Sequence, residues 1–316
     1  MEGFHPEHFA IYLFSYNRGK FLDNCLESLV NCAEGHDVTI IDDGSDDDAT
    51  RLVLRRWQKQ FRQLGPDSKG QVEHKTGGLY NNMGRAMADA RERQKTLVLL
   101  LQDDMQLVRP IDQKDLLRAE AFFAANPNAA QLQTCFMKRF FAARDEKLTI
   151  LDSSEQAYLR PSDYPGFSGF SAVGLFHLDR FQSLFGQLRQ GEYANNAFAQ
   201  QHGIQMGIAA FPFMMWLPYP ISHRGKQRNI PLQLVEGIAG CGFYPYRLMD
   251  QEAQERLHNR HPDQRPYAEE WLHCPPLQYR SVWSFAGGLS NLLARGGWRG
   301  VLGRLLGGIK KRFASS

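Results

Sequence analysis

Apolar and polar residues alternate in two rhythms over the first hundred positions. FAIYLFSY (9–16) is a short run rich in strand-forming residues, and behind it Leu22, Cys25, Leu26, Leu29 and Val30 recur at helical spacing. VTII (38–41) is a second run of the buried-strand type. A helical pattern follows over ATRLVLRRWQKQF (49–61), for which Asp47 or Asp48 is a suitable N-cap. After the loop GPDSKG, QVEHK (71–75) reads as a third, short strand and NNMGRAMADARERQ (81–94) as a helix. TLVLLL (96–101) is a fourth strand, apolar throughout, as expected of a strand covered on both faces. Strands alternating with helices of this length predict an α/β fold with a mainly parallel central sheet flanked by helices.

That order has a geometric consequence. Ligands of open α/β sheets bind outside the carboxyl ends of the strands. Here the segments that follow the four strands are SYNRGK, DDGSDDD, TGGLYNN and QDDMQ. All four are predicted on one edge, and two of them carry paired carboxylates. Further along, a helix is expected near LLRAEAFFAAN and a strand near AAQLQTCFMKR, followed by the glycine-rich PGFSGFSAVGLFHLDRF and the strand-like FPFMMWLPYP. Proline and glycine become denser around PLQLVEGIAGCGFYPY, where the main domain is expected to end. The chain divides into residues 1–110 and 111–230, as two halves of one domain, and a C-terminal extension, 231–316.

A hydrophobic content of 43% is ample for a packed core and argues against disorder. The five cysteines are scattered without a CxxC pair, which favours a reducing compartment and argues against a structural zinc site. The first residues, MEGFHPEHFAIYLF, have no basic segment ahead of the apolar one, so no signal peptide is expected. The net charge of +3 is unevenly spread: from Trp271 onward there are seven Lys or Arg and no acid, which leaves the body mildly acidic. Nucleic acid is therefore not the expected partner. In the tail, Trp298, Val301, Leu302, Leu305, Leu306, Ile309 and Phe313 fall on one helical face with Arg and Lys on the other. A basic amphipathic helix at about 288–313 is expected to lie on an anionic membrane surface. The expected location is cytoplasmic, peripheral to the inner face of the cytoplasmic membrane.

Asp103 and Asp104, at a strand end, suit a hard divalent ion with oxygen ligands, although a solvated turn has the same composition. Taken together, AIYLFSYNR, TIIDDGSDD, NNMGRAMADA and LVLLLQDDMQ resemble, in order and spacing, the motifs of family 2 glycosyltransferases. The resemblance covers residues 9 to about 110 well and 160 to about 225 loosely. It implies a GT-A fold and an inverting transfer from a nucleotide-diphosphate sugar, UDP-type favoured. The implied acceptor is a hydroxyl of a glycan or lipid-linked molecule in bacterial cell-surface polysaccharide synthesis, and the implied cofactor is Mn²⁺ or Mg²⁺.

The resemblance also assigns roles. Asp43 would contact the base, with Tyr16 near base or ribose and Asn17, Arg18, Gly44, Gly78 and Asn82 around the donor nucleotide. Gln102 and Asp103 would lie near the ribose or diphosphate. Asp104 would ligate the metal, and His223 the metal or the leaving diphosphate. Lys75, Arg224, Lys226 and Arg228 would offset diphosphate charge. Glu192 is the implied general base, with Asp163 in reserve; Gly169 and Ser171 would line the acceptor side. Three positions depart from the family's pattern: Gln102 replaces its first acid, Asn81 a frequent Arg, and Tyr193 the acid beside the base. They leave a non-catalytic relative that binds nucleotide or membrane as the alternative. A nucleotidyltransferase or a dinucleotide dehydrogenase needs a glycine-rich loop after the first strand, which SYNRGK does not supply.

Overall fold

The computed structural model describes residues 6–65, 78–160, 169–218, 220 and 241–275. The first strand, β1 (Phe9–Ser15), is buried along its whole length. Phe9, Ile11 and Leu13 enter one core, and Ala10, Tyr12 and Phe14 enter the other. This period-two division is what a strand covered on both faces requires. Helix α1 (Gly19–Cys32) lays Phe21, Leu22, Cys25, Leu26 and Leu29 on the first core. Strand β2 (Asp37–Asp42) then pairs parallel to β1, Ala10 opposite Asp37 and Ser15 opposite Asp42.

Helix α2 (Asp48–Trp57) starts where Asp47 caps it, Oδ1 accepting the Thr50 amide at 2.8 Å. Its C-terminal continuation is not helical. Arg62–Leu64 forms β3, a short edge strand parallel to β2 that the sequence pattern did not single out. Residues 71–75 lie outside the described residues. Helix α3 (Leu79–Glu92) packs Tyr80, Met83, Ala86, Met87 and Ala90 on the second core. Strand β4 (Leu97–Gln102) runs parallel to β1 on its other side, with Phe14 opposite Gln102.

The chain then makes β5 (Met105–Leu107), α4 (Gln113–Ala125), β6 (Ala129–Gln133), α5 (Ala142–Leu148), β7 (Ile150–Leu151) and β8 (Ala157–Arg160). After these come β9 (Gly174–His177), α6 (Leu178–Leu184), α7 (Glu192–Gln201), β10 (Gln205–Ala209) and β11 (Met214–Trp216). The last described helices are α8 (Gln251–Asn259) and α9 (Ala268–Trp271). Nine strands form one sheet in the order β3-β2-β1-β4-β9-β6-β10-β8-β7, with β5 and β11 paired separately. Strands β9 and β8 run against the rest, so the sheet is mixed rather than purely parallel. Strands from both 1–110 and 111–230 contribute to it, and helices cover both faces. The sheet is α/β with the layering that the resemblance implied.

All five cysteines are free thiols. Among the described residues no helix is long and apolar enough to cross a membrane. The expected amphipathic helix at 288–313 lies outside the described residues.

Candidate active site

Three loops meet at the carboxyl edge around β1. The Asp43 amide donates to the Ser15 carbonyl at 2.9 Å, and the Asp103 amide donates to the Phe14 carbonyl at 3.0 Å. The two acidic loops therefore leave the sheet on either side of the same strand end. Asp43 and the Asp103–Asp104 pair share one rim, and Tyr16 sits between them; its amide donates to Asp103 Oδ2 at 3.1 Å.

The acidic run after β2 is mostly bonded within the protein. Asp42 accepts the amides of Gly44 and Ser45 and the Ser45 hydroxyl, closing a turn in which Gly44 has φ 80°. That left-handed conformation is what glycine tolerates. Asn17 ties this turn to the loop after β1: its amide donates to Ser45 Oγ, its Nδ2 to Asp46 Oδ1, and its Oδ1 accepts the Asp46 amide. Asn17 itself has φ 50°, which Asn accepts more readily than most residues. The family resemblance placed Asn17 at the nucleotide; the structure gives its side chain to the neighbouring loop.

Asp43 stands apart from that cluster. Its Oδ2 accepts the Gly78 amide at 2.8 Å and its Oδ1 accepts Asn82 Nδ2 at 2.8 Å. Gly78 is the N-cap of α3 and has no side chain with which to cap, so Asp43 supplies the anion from the loop after β2. A Cβ at Gly78 would lie 2.1 Å from Asp43 Oδ1, so only glycine admits this approach. Asn82 is buried and its Oδ1 accepts from Arg85.

Arg18 turns toward the second acidic loop. Its Nη1 is 2.6 Å from Asp104 Oδ2 and 3.4 Å from Asp103 Oδ1, with all three side chains at most 14% exposed. Burial pushes the Asp103 carboxyl up to about 7; Arg18 opposes that shift and the adjacent Asp104 adds to it. The guanidinium is itself held more firmly protonated by the two carboxylates, against its own desolvation. Asp104 Oδ1 is buried and has no hydrogen-bond partner. The backbone here is anchored from β11, the Leu217 amide donating to the Asp104 carbonyl at 2.8 Å.

Among the described residues no three His, Cys, Asp or Glu gather into a metal cage. Mg²⁺ or Mn²⁺ needs less, since one or two carboxylates with substrate phosphates and water suffice. The unpartnered Asp104 Oδ1 fits that role.

The candidate base comes to the same region from the far half of the chain. Gly174 stands opposite Leu100, so the stretch leading into β9 enters the sheet from the edge that carries Asp103 and Asp104. Within that stretch the Ala172 amide donates to Glu192 Oε1 at 3.3 Å, and Asn196 Oδ1 accepts the Gly169 amide. Glu192 opens α7 after a turn at Gly191, φ 96°, and buried Asn195 bonds back to Arg189 and Gly191 to hold that turn. Gln190 Nε2 donates to Asn81 Oδ1 at 2.7 Å, which joins this segment to the start of α3. Asn81, a departure from the family's pattern, is thus a strut between the two halves. Tyr193, another departure, is 88% exposed.

Two cations here escaped the sequence reading. Lys138, just past β6, has Nζ 5.2 Å from the Trp216 ring centre; burial lowers its pKa while Cys135, Glu269 and Asp104 oppose that. Burial likewise pushes Arg160 down to about 10, and its Nη1 donates to the Gly169 carbonyl at 2.9 Å. Their signal was a basic residue at a strand end, which the hydrophobic pattern treats as surface. Phe170, between Gly169 and Ser171, is buried in the second core. Lys75, Asp163, His223, Arg224, Lys226 and Arg228 lie outside the described residues.

The sequence model described as Glycosyl transferase family 2 matches residues 11–180. No curated protein matches the chain. Among solved structures, TarS 1–349 from S. aureus is similar at 15% identity and TM-score 0.42, over 66% of this chain and 60% of that one. The chain therefore spans less than two thirds of that relative. The same TarS fragment in complex with UDP gives the same identity and TM-score. The mannosyltransferase PcManGT from Pyrobaculum calidifontis, in complex with GDP-Man and Mn²⁺, is similar at 13% identity and TM-score 0.41, over 79% of this chain and 68% of that one.

Proposed function

Because this chain belongs to glycosyl transferase family 2, we propose that it is an inverting transferase using a nucleoside-diphosphate sugar, UDP-type favoured. The acceptor is a hydroxyl of a glycan or lipid-linked molecule, in surface polysaccharide synthesis. The observation that carries this reading is the shared rim: Asp43 and Asp103 leave the sheet on either side of β1 and hydrogen-bond to its consecutive carbonyls.

Asp43 accepts one hydrogen bond on each oxygen, and a carboxylate offers about four acceptor positions. It can hold α3 and still receive the imide N–H of a pyrimidine base. Asp103 orients the loop through the Tyr16 amide. A divalent ion would be held by Asp104, with Asp103 beside it, and would supply charge stabilisation for the departing diphosphate. Glu192 accepts the proton of the acceptor hydroxyl as its oxygen forms a bond to C1 and the C1–phosphate oxygen bond breaks on the opposite face. The nucleoside diphosphate leaves with the bonding pair, and the configuration at C1 inverts.

General-base removal typically costs about 10²- to 10⁴-fold. Glu192→Gln is therefore expected to keep donor binding, read by calorimetry, while transfer falls by about that factor. Unchanged transfer in Glu192→Gln would move the base elsewhere. Residues 281–316 serve this reaction by seating the enzyme on anionic lipid. Their deletion is expected to release the protein from phosphatidylglycerol vesicles, and equal sedimentation with and without them would end the membrane part of the proposal.

A further inference from the structure

The ion pair on the rim bears on how the site is loaded. Arg18 is the N-cap residue of α1, and its side chain makes no capping bond there. The same Nη1 faces both carboxylates, at 2.6 Å from Asp104 and 3.4 Å from Asp103. The Arg18 ring partner, Phe21, lies below it with 5.7 Å from the guanidinium carbon to the ring centre. Two adjacent carboxylates out of water repel each other, and a cation between them removes most of that cost. One Asp104 oxygen is thereby bonded to Arg18 while the other is buried with no partner. Arg18 offsets one of the two negative charges, and Asp104 is not fully satisfied.

Resting on the glycosyltransferase reading, we propose that Arg18 is a resident cation that competes with the divalent ion for Asp104. The ion alone then binds weakly. When a nucleoside diphosphate enters, its phosphates offer the guanidinium a bidentate anion. Arg18 moves to them and gives up Asp104 Oδ2. Ion and nucleotide consequently bind with positive coupling, and linkage requires each to tighten the other by the same factor. The device keeps the carboxylates from being left bare before the donor arrives.

The probe is Mn²⁺, with free ion followed by electron paramagnetic resonance in the full-length protein, alone and with UDP or GDP. In wild type, the nucleotide is expected to tighten Mn²⁺ by about tenfold, within the usual range for coupling between sites. Arg18→Met is expected to bind Mn²⁺ alone about tenfold more tightly than wild type and to lose most of the coupling. In Arg18→Met, adding Asp104→Asn is expected to abolish the gain.

Equal or weaker Mn²⁺ binding by Arg18→Met would overturn the proposal and make Arg18 a scaffold residue. Arg18→Lys, which keeps the charge but loses the fork, is a second variant should the first fold poorly. It is expected to fall between wild type and Arg18→Met, and a value at or below wild type would likewise count against competition. Failure of any nucleotide to bind would undermine the glycosyltransferase reading instead, while the Mn²⁺-only arm would still decide the role of Arg18.

Discussion

Two buried arginine–aspartate pairs in this protein are built on opposite plans. Arg109 is 1% exposed and uses every donor it has: Nε on the Pro212 carbonyl, Nη1 on Pro110 and Asp115 Oδ2, Nη2 on Asp115 Oδ1 and Phe211. Asp115 also accepts the Asp112 amide across a capping box at the start of α4. Every charge and lone pair is answered by protein, so the pair is a closed clasp between α4 and the strand-end loops. At the rim, two carboxylates face the same Arg18 nitrogen, and Asp104 keeps a buried oxygen without a partner. The first pair has nothing left to offer a ligand. The second has an acceptor in reserve on the edge where α/β sheets bind ligands. Buried charge alone does not mark a functional site; what sets the Asp104 pair apart is an unpartnered carboxylate oxygen at the strand-end edge.

The difference is open to test by removing one member of each pair. Asp115→Ala leaves Arg109 charged and buried without its partner, a change that typically costs about 3–5 kcal/mol. Urea unfolding should show that loss, and a loss below about 1 kcal/mol would mean the clasp is less closed than its geometry implies. Asp104→Asn is expected to behave the other way round. Transfer should fall by about a hundredfold or more, the scale on which lost stabilisation of developing charge is felt. Stability should change little, because Arg18 retains Asp103. A strongly destabilised but active Asp104→Asn protein would reverse the assignment of the two pairs.

The closed pair was the harder one to read from the chain. Asp43, Asp103 and Asp104 stand at the ends of apolar runs, where period and position alone put them on one edge. Arg109 follows the apolar MQLV, and a pattern-based reading places a lone Arg at the surface; yet it is among the largest fully buried side chains. What buries it is carbonyls from residues 211 and 212, a hundred positions away, and no local spacing reports them. The same limit hid β3. Helical periodicity ran on through Phe61, but Arg62–Leu64 finds an edge to pair with on β2, and that long-range ladder outweighs local preference. The placement of Arg18 was half legible: its loop was expected at the donor, but its partners lie 85 and 86 residues on. Asp43 was legible as a conspicuous acid, while its work in capping α3 depends on a glycine approached from another loop.

That cap gives a smaller test of the open region. Gly78→Ala would place a methyl on Asp43 Oδ1 and push the carboxylate from both the Gly78 amide and Asn82. Losing a helix cap costs about 1 kcal/mol. Because Asp43 is also the proposed base contact, UDP affinity should fall with it, whereas Mn²⁺ binding at Asp104 should not. Loss of stability with unchanged nucleotide affinity would confine Asp43 to the cap.

The smallest expected effect lies in the pH dependence of the closed pair. Burial by itself would raise the Asp115 carboxyl, but the Arg109 charge, its paired hydrogen bonds and the Asp112 amide outweigh burial and hold it below the ordinary value of 3.8. A carboxyl whose pKa is depressed on folding adds stability that is fully present above the unfolded value and lost as pH falls through the folded one. Wild-type unfolding midpoints should therefore stay level in this respect down to about pH 4 and decline below it. Asp115→Asn should start lower at neutral pH, since Asn cannot match the Arg109 charge, and lose less on acidification. Other paired acids such as Asp89 titrate in the same window, so the quantity to compare is the difference in slope between the two proteins. Parallel slopes would mean that Asp115 is not held in its charged form by Arg109, and the contrast with the Asp104 pair would then rest on geometry alone.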